Sequence, residues 1–162
     1  MPQGSAHETL ANLILNLSKD YSSPKFTPHV TLLGNLCGSE EELETKASRL
    51  ATTLAPYTMR LTKVEYLDEY FRSLFFRVEA SSQVIQANLK AKDLFNRQND
   101  PEYFPHLSIM YGDFSANTKE AIIERIGQEL ALSFQIQGLH LVDTSSSPAK
   151  WFIVREFQFG RA

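Results

Sequence analysis

The chain has 162 residues, 43% of them hydrophobic and 22% charged, which gives length for one domain with a substantial core and excludes the disordered and low-complexity classes. A formal net charge of −3 argues against a surface built to grip long nucleic acid, because that affinity comes from clustered Lys and Arg neutralising phosphates. One cysteine, Cys37, allows no intramolecular disulfide, and no apolar run of about 20 residues is present, so the expected setting is the cytoplasm, or the nucleus, with no membrane partner.

From Ser5 to Asp20 the apolar residues Leu10, Leu13, Ile14 and Leu17 recur at helical spacing, and Ser5 with Glu8 reads as a capping box. After Tyr21-Ser22-Ser23-Pro24 a strand is expected through His29 to Leu33, closed by Gly34 and Gly38. Ser39 followed by Glu40, Glu41 and Glu42 marks a second helix, with its acidic residues on the positive end of the helix dipole, running to about Leu54. Strands are expected over Tyr57 to Leu67 and Phe71 to Ala80, then a helix from Ser82 to Arg97. A strand through His106 to Met110 follows, ended by Tyr111-Gly112-Asp113, then a helix from Ser115 to Leu132. Strands near Phe134 to Val142 and Trp151 to Phe159 complete the chain, separated by the loop Asp143 to Ala149. Each half repeats one order, helix, strand, helix, strand, strand, as expected for an internal duplication.

Within that order one phrase occurs twice, Pro28-His29-Val30-Thr31-Leu32-Leu33 and Pro105-His106-Leu107-Ser108-Ile109-Met110, with the histidines 77 positions apart. In an extended strand residues i and i+2 share a face, about 6 to 7 Å apart, so each imidazole stands beside a hydroxyl while Val30, Leu32, Leu107 and Ile109 turn to an apolar layer. His7-Glu8-Thr9 satisfies the bare tripeptide but lacks the proline, the preceding aromatics and the apolar run. Two copies about a pseudo-twofold axis would set the motif strands side by side and aim both pairs into one groove. Two positionable proton carriers, each with a hydroxyl, suit phosphodiester cleavage without a metal.

Other candidates have blander readings. Lys25, Arg72, Arg77 and Lys150 are cations able to face a phosphate, but as isolated charges they read as solvated surface. Cys37 reads as a small buried hydrophobe, and His140 as a satisfied residue on an apolar strand. Tyr111 and Trp151 could each stack a nucleobase; Trp151, beside Phe152 and Ile153, reads rather as core, and Tyr111 is equally open to packing and to stacking. A zinc site finds no His-x₃-His or Cys-x₂-Cys spacing, so neither metal nor cofactor is expected.

The phrases Phe26-Thr27-Pro28-His29-Val30-Thr31-Leu32-Leu33-Gly34 and Pro105-His106-Leu107-Ser108-Ile109-Met110-Tyr111-Gly112, with the ending Leu141-Val142-Asp143-Thr144 followed by Trp151, resemble the 2H phosphoesterase superfamily. Within it the chain is most similar to the small eukaryotic cyclic phosphodiesterases. The resemblance implies an α+β, bilobal duplicated fold with antiparallel sheets flanked by helices around a central groove, one domain over residues 1–162 with a lobe crossover near 68–82. It implies catalysis by His29 and His106, phosphate binding by Thr31 and Ser108, and substrate binding by Tyr111. The implied substrates are ADP-ribose 1'',2''-cyclic phosphate and nucleoside 2',3'-cyclic phosphates, a small partner leaving as a phosphomonoester. The alternatives are an RNA-end 2',3'-cyclic phosphodiesterase or 3'-end-trimming relative, and a catalytically idle nucleotide-binding module. Family members usually begin with a strand before the first helix, whereas here the helix starts almost at once. The expectation is a monomer whose unpaired sheet edge invites strand pairing with another chain.

Overall fold

The computed structural model describes residues 1–160. Its elements are α1 (Gly4–Tyr21), α2 (Glu40–Thr52), β1 (Tyr57–Glu65), β2 (Leu74–Val78), α3 (Ser82–Leu94), β3 (His106–Met110), α4 (Ala116–Ile126), β4 (Ser133–Ile136), β5 (Gly138–Asp143) and β6 (Phe152–Gln158). β3, β2, β1 and β4, in that spatial order, form an antiparallel sheet, and β5 pairs with β6 in a second, two-stranded one. This is the α+β class expected, with helices flanking antiparallel sheets. Strands from both halves of the sequence share the larger sheet, since β1 pairs with β4 and β2 with β3.

The helices follow from their apolar stripes and caps. α1 buries Ala6, Leu10, Ile14 and Leu17 and packs against β3. It begins one residue before the expected Ser5 cap. The Gln3 carbonyl already accepts from the His7 N–H at 3.4 Å, which places Ser5 inside the first turn, where it no longer stands as the cap. Ser39, Ser81 and Ser115 cap α2, α3 and α4, each hydroxyl accepting the N–H three residues on at 3.3, 3.4 and 3.2 Å. Such a cap contributes about 1 kcal/mol.

Three boundaries differ from the sequence reading. Residues Tyr70–Arg72 form a 3-10 turn, so β2 starts only at Leu74. Gly127, at φ 94°, stops α4, and the residues beyond it run along β1, with Val64 N–H donating to the Gln128 carbonyl at 2.9 Å and Leu61 N–H to that of Leu132 at 2.8 Å. The single strand expected over 134–142 is two strands that change partner at Gln137, β4 pairing with β1 and β5 with β6. At that switch a Cβ on Gly138 would lie 2.5 Å from the Phe157 carbonyl oxygen, so the close approach of β5 to β6 needs glycine there.

The core lies between the larger sheet and the helices. Leu61, Leu74, Leu107 and Ile109 are at most 1% exposed, and each such burial is worth about 1.5–3 kcal/mol. In β3 these apolar residues alternate with His106 and Ser108, which turn to the opposite face. The first motif is the largest departure from expectation. It is not a strand: its one ladder contact is an antiparallel bridge between Val30 and Leu107.

Candidate active site

The Val30–Leu107 bridge joins the central residues of the two motifs. Antiparallel register about that bridge puts His29 level with Ser108 and Thr31 level with His106, so the four side chains form a diagonal arrangement about a local twofold axis. The two motifs, expected to lie side by side as strands, are therefore joined by one bridge.

Since the first motif lacks a ladder, its backbone is held by side chains of other elements. Asn88, buried on α3, donates to the Leu32 carbonyl at 2.7 Å, and the Tyr103 hydroxyl donates to the Thr31 carbonyl at 2.9 Å. Arg97 donates to the Gly34 and Asn35 carbonyls at 3.3 and 3.0 Å. Lys92, itself buried, ties down the Asp100 and Pro101 carbonyls that precede the second motif, at 3.1 and 2.6 Å. These bonds fix the segment that carries His29 and Thr31.

Both imidazoles are locked in the same way. His29 Nδ1 lies 2.7 Å from the Thr27 carbonyl oxygen and His106 Nδ1 lies 2.8 Å from that of Phe104. A carbonyl only accepts, so each Nδ1 carries the hydrogen and each Nε2 remains for proton transfer. Burial pushes the His29 pKa below its ordinary 6.5, opposed by the bond to Thr27. Burial likewise lowers that of His106; the bond to Phe104 opposes it, while the charges of Arg72 and His29 lower it further.

The two hydroxyls differ. Thr31 is exposed, and its Oγ1 makes no hydrogen bond among the described residues. Ser108 is 6% exposed and donates to the Phe71 carbonyl at 2.9 Å. Tyr111 is 3% exposed, stacked on Phe26 with ring centroids 3.9 Å apart and edge-on to Phe71 at 5.3 Å. One of its faces is thus taken by Phe26, and burial raises its phenol pKa. Trp151, read as core, is packed partly against the core, but its ring also stands 6.1 Å from His29 and 5.9 Å from Phe71, with its Nε1–H donating to the Ser146 carbonyl at 2.8 Å.

Open aromatic surface beside the imidazoles comes from residues that sequence reasoning missed, Phe71 at 53% and Tyr70 at 40% exposed. The sequence reading placed Phe71 at the start of a strand, and the short turn over Tyr70–Arg72 that exposes it carries no periodicity signal. Two further readings are corrected. Cys37 is exposed rather than buried, because it lies in the loop between the first motif and α2. Arg72 and Arg77 are not isolated: their guanidinium carbons lie 5.7 and 4.1 Å from the centre of the Phe104 ring, beside His106. His140 meets Glu156 at 3.5 Å. No helix among the described residues is long and apolar enough to cross a membrane, and no three metal-ligating side chains converge among them.

Comparison with known proteins gives a consistent result. The family described as cyclic phosphodiesterase-like protein matches residues 1–159. The cyclic phosphodiesterase of Arabidopsis thaliana is 24% identical over 150 residues, spanning 90% of this chain and 83% of that protein. Among solved structures, TT0787 of Thermus thermophilus has a TM-score of 0.64 at 20% identity, covering 95% of this chain and 93% of its own. E. coli LigT, complexed with NADP+, has a TM-score of 0.65 at 14% identity, covering 95% and 92%. At these identities the solved structures speak for a shared fold.

Proposed function

The chain belongs to the cyclic phosphodiesterase-like family of 2H phosphoesterases and is an enzyme of that type; from that premise we propose that it opens small cyclic phosphates to phosphomonoesters, with His29 and His106 exchanging protons across one phosphorus. ADP-ribose 1'',2''-cyclic phosphate and nucleoside 2',3'-cyclic phosphates are the substrates that fit this reading. The observation that carries it is the pair of imidazoles, each with Nδ1 tied to a carbonyl two residues back, on segments bridged at Val30 and Leu107.

In the reaction a water oxygen forms a new bond to phosphorus while one ring P–O bond breaks on the opposite side. One imidazole, neutral, takes the water's proton at Nε2. The other, protonated, gives its Nε2 proton to the departing ribose oxygen. Each transfer contributes about 10²- to 10⁴-fold. The two rings are equivalent in their locking, so the roles are set by which ribose oxygen leaves. Thr31 has a hydroxyl free to donate to a non-bridging oxygen, where negative charge grows in the transition state. Phe71, Tyr70 and Trp151 offer apolar ring faces to a base, and each stacked base is worth about 1–3 kcal/mol. One histidine accepts a proton and the other supplies one, so no step requires a metal.

Phosphorus NMR of adenosine 2',3'-cyclic phosphate incubated with the enzyme in EDTA tests this reading. The expected spectrum shows the cyclic resonance replaced by a single phosphomonoester. An unchanged cyclic resonance, or activity abolished by EDTA and restored by a divalent metal, contradicts it.

A further inference from the structure

The two segments that carry the imidazoles meet at a single bridge, Val30 with Leu107, and one bridge is a pivot: it sets a point of contact without setting the angle between them. Proton transfer across one phosphorus depends on that angle, since a misplacement of about 1 Å can cost about 10²-fold in rate. Helix α3 supplies what the bridge lacks. Asn88 and Lys92 stand one turn apart on the same face of α3, and they are only 2% and 8% exposed. From that face Asn88 Nδ2 donates to the Leu32 carbonyl, just past His29, at 2.7 Å. Lys92 Nζ donates to the Asp100 and Pro101 carbonyls, ahead of His106, at 3.1 and 2.6 Å.

The loop that Lys92 holds also carries Tyr103, whose hydroxyl donates to the Thr31 carbonyl at 2.9 Å. Two successive carbonyls of the first motif are thus held from one helix face, Leu32 by Asn88 directly and Thr31 by way of Lys92 and Tyr103. The first half has a local counterpart: Ser18 on α1 donates to the Ser23 carbonyl at 2.7 Å, and Ser23 and Asp100 are 77 positions apart, as the two histidines are. Each of the two helices ties the loop that precedes its own motif, but among the described residues only α3 also holds the other motif. An ammonium is costly to bury, and an apolar side chain would fill the same space at lower cost. What Lys92 adds is a fixed direction for the loop.

We propose that Asn88 and Lys92 are positioning residues for the proton transfer: through Leu32, and through the loop from Asp100 to Tyr103, they set the two imidazoles in register with one phosphorus. This rests on the cyclic-phosphate reading and extends it to side chains that act from behind the site, through the backbone. A brace of this kind governs the rate of the chemical step and leaves the affinity for substrate nearly unchanged.

The test is a set of double-variant cycles on adenosine 2',3'-cyclic phosphate, with circular dichroism to follow folding. Asn88→Leu and Lys92→Met nearly keep the volume and remove the donors. Each should lower kcat by about tenfold to 10²-fold while KM changes by less than about threefold. Introduced into His29→Gln or His106→Gln, either one should cost less than about twofold more, because the paired transfer it serves is already lost. Lys92→Arg, which keeps N–H donors, should recover part of the loss. Tyr103→Phe removes a single oxygen, should lower kcat by about threefold or more, and remains readable where a core variant fails to fold. Single variants, Tyr103→Phe included, with kcat within about twofold of the unaltered enzyme, or losses in the histidine variants as large as in the unaltered enzyme, overturn the brace and leave the cyclic-phosphate reading intact. Absence of hydrolysis by the unaltered enzyme overturns the reading and the brace together.

Discussion

At the scale of single residues, the two histidines are distinguished from ordinary strand histidines by a local device, an Nδ1–H bond to the carbonyl two residues back. The device follows from the Phe/Thr-Pro-His phrase that the sequence displays, so the pair was legible there. Both pKa values are lowered by burial from 6.5. The acid must be protonated to work, so in the free enzyme the alkaline limb of kcat/KM should fall below about pH 6.5. A bound phosphate anion favours imidazolium, and the corresponding limb of kcat should lie at higher pH. An alkaline limb of kcat/KM well above neutral contradicts the burial argument. The sign for stability is the reverse of that for a salt-bridged histidine: the contribution of the half-buried neutral rings is complete above about pH 6.5 and declines as pH falls, because the unfolded chain binds those protons more readily.

The hydroxyls, which read alike in the sequence, are separated by tertiary contacts that no spacing reveals. Ser108 is committed to the Phe71 carbonyl, whereas Thr31 is open. Thr31→Ala should therefore lower kcat/KM by about tenfold or more while changing stability by under about 0.5 kcal/mol. Ser108→Ala should destabilise by about 1–3 kcal/mol, because it strips the Phe71 carbonyl of its donor. Urea melts beside steady-state kinetics check both, and a Ser108→Ala variant of unchanged stability contradicts the assignment. Arg77 and Trp151 were read as surface and core for the same reason: their surroundings depend on strand register and loop return, not on periodicity.

At the scale of elements, helices were the most legible, since α1 has an unbroken apolar stripe and α2, α3 and α4 have serine caps. The first motif was misread because a strand pattern of apolar alternation also suits an extended segment pinned by side chains. Asn88, Arg97 and Tyr103 do for it what a neighbouring strand would do. The turn bearing Tyr70, Phe71 and Arg72 is anchored comparably. Lys119 on α4 is 1% exposed, and its ammonium donates to the Leu67 carbonyl at 2.8 Å and to Asp68 at 2.9 Å. The Gly112 N–H donates to the Tyr70 carbonyl at 2.9 Å. Lys119→Met keeps the volume but leaves the Leu67 carbonyl without its donor, an expected cost of about 1–3 kcal/mol. Hydrogen exchange should show faster opening between Leu67 and Arg72, together with a raised KM for a cyclic nucleotide. Unaltered exchange in that turn contradicts the anchor.

At the scale of the whole molecule, the element order expected to repeat is kept only in part, since the first motif is not a strand and three strands follow α4, and the mixing of strands from both halves was not legible because pairing partners are set by long-range packing. That mixing is what brings residues 29 and 106 to one place: β3 sits at the end of the larger sheet, where its Leu107 meets Val30. The two-stranded sheet of β5 and β6 carries Arg155, paired with Glu44, and Glu156 beside the exposed Phe152 and Ile153. Such charges oppose edge-to-edge association.

If the two imidazoles act as one unit on one phosphorus, their contributions cannot be independent. The direct measurement is kcat for adenosine 2',3'-cyclic phosphate in the unaltered enzyme, in His29→Gln, in His106→Gln and in the double variant, with circular dichroism to confirm folding. Each single variant should lose about 10²-fold or more, and the double variant should be little slower than the slower single one. A single variant with near-normal kcat, or losses that simply multiply, contradicts the account.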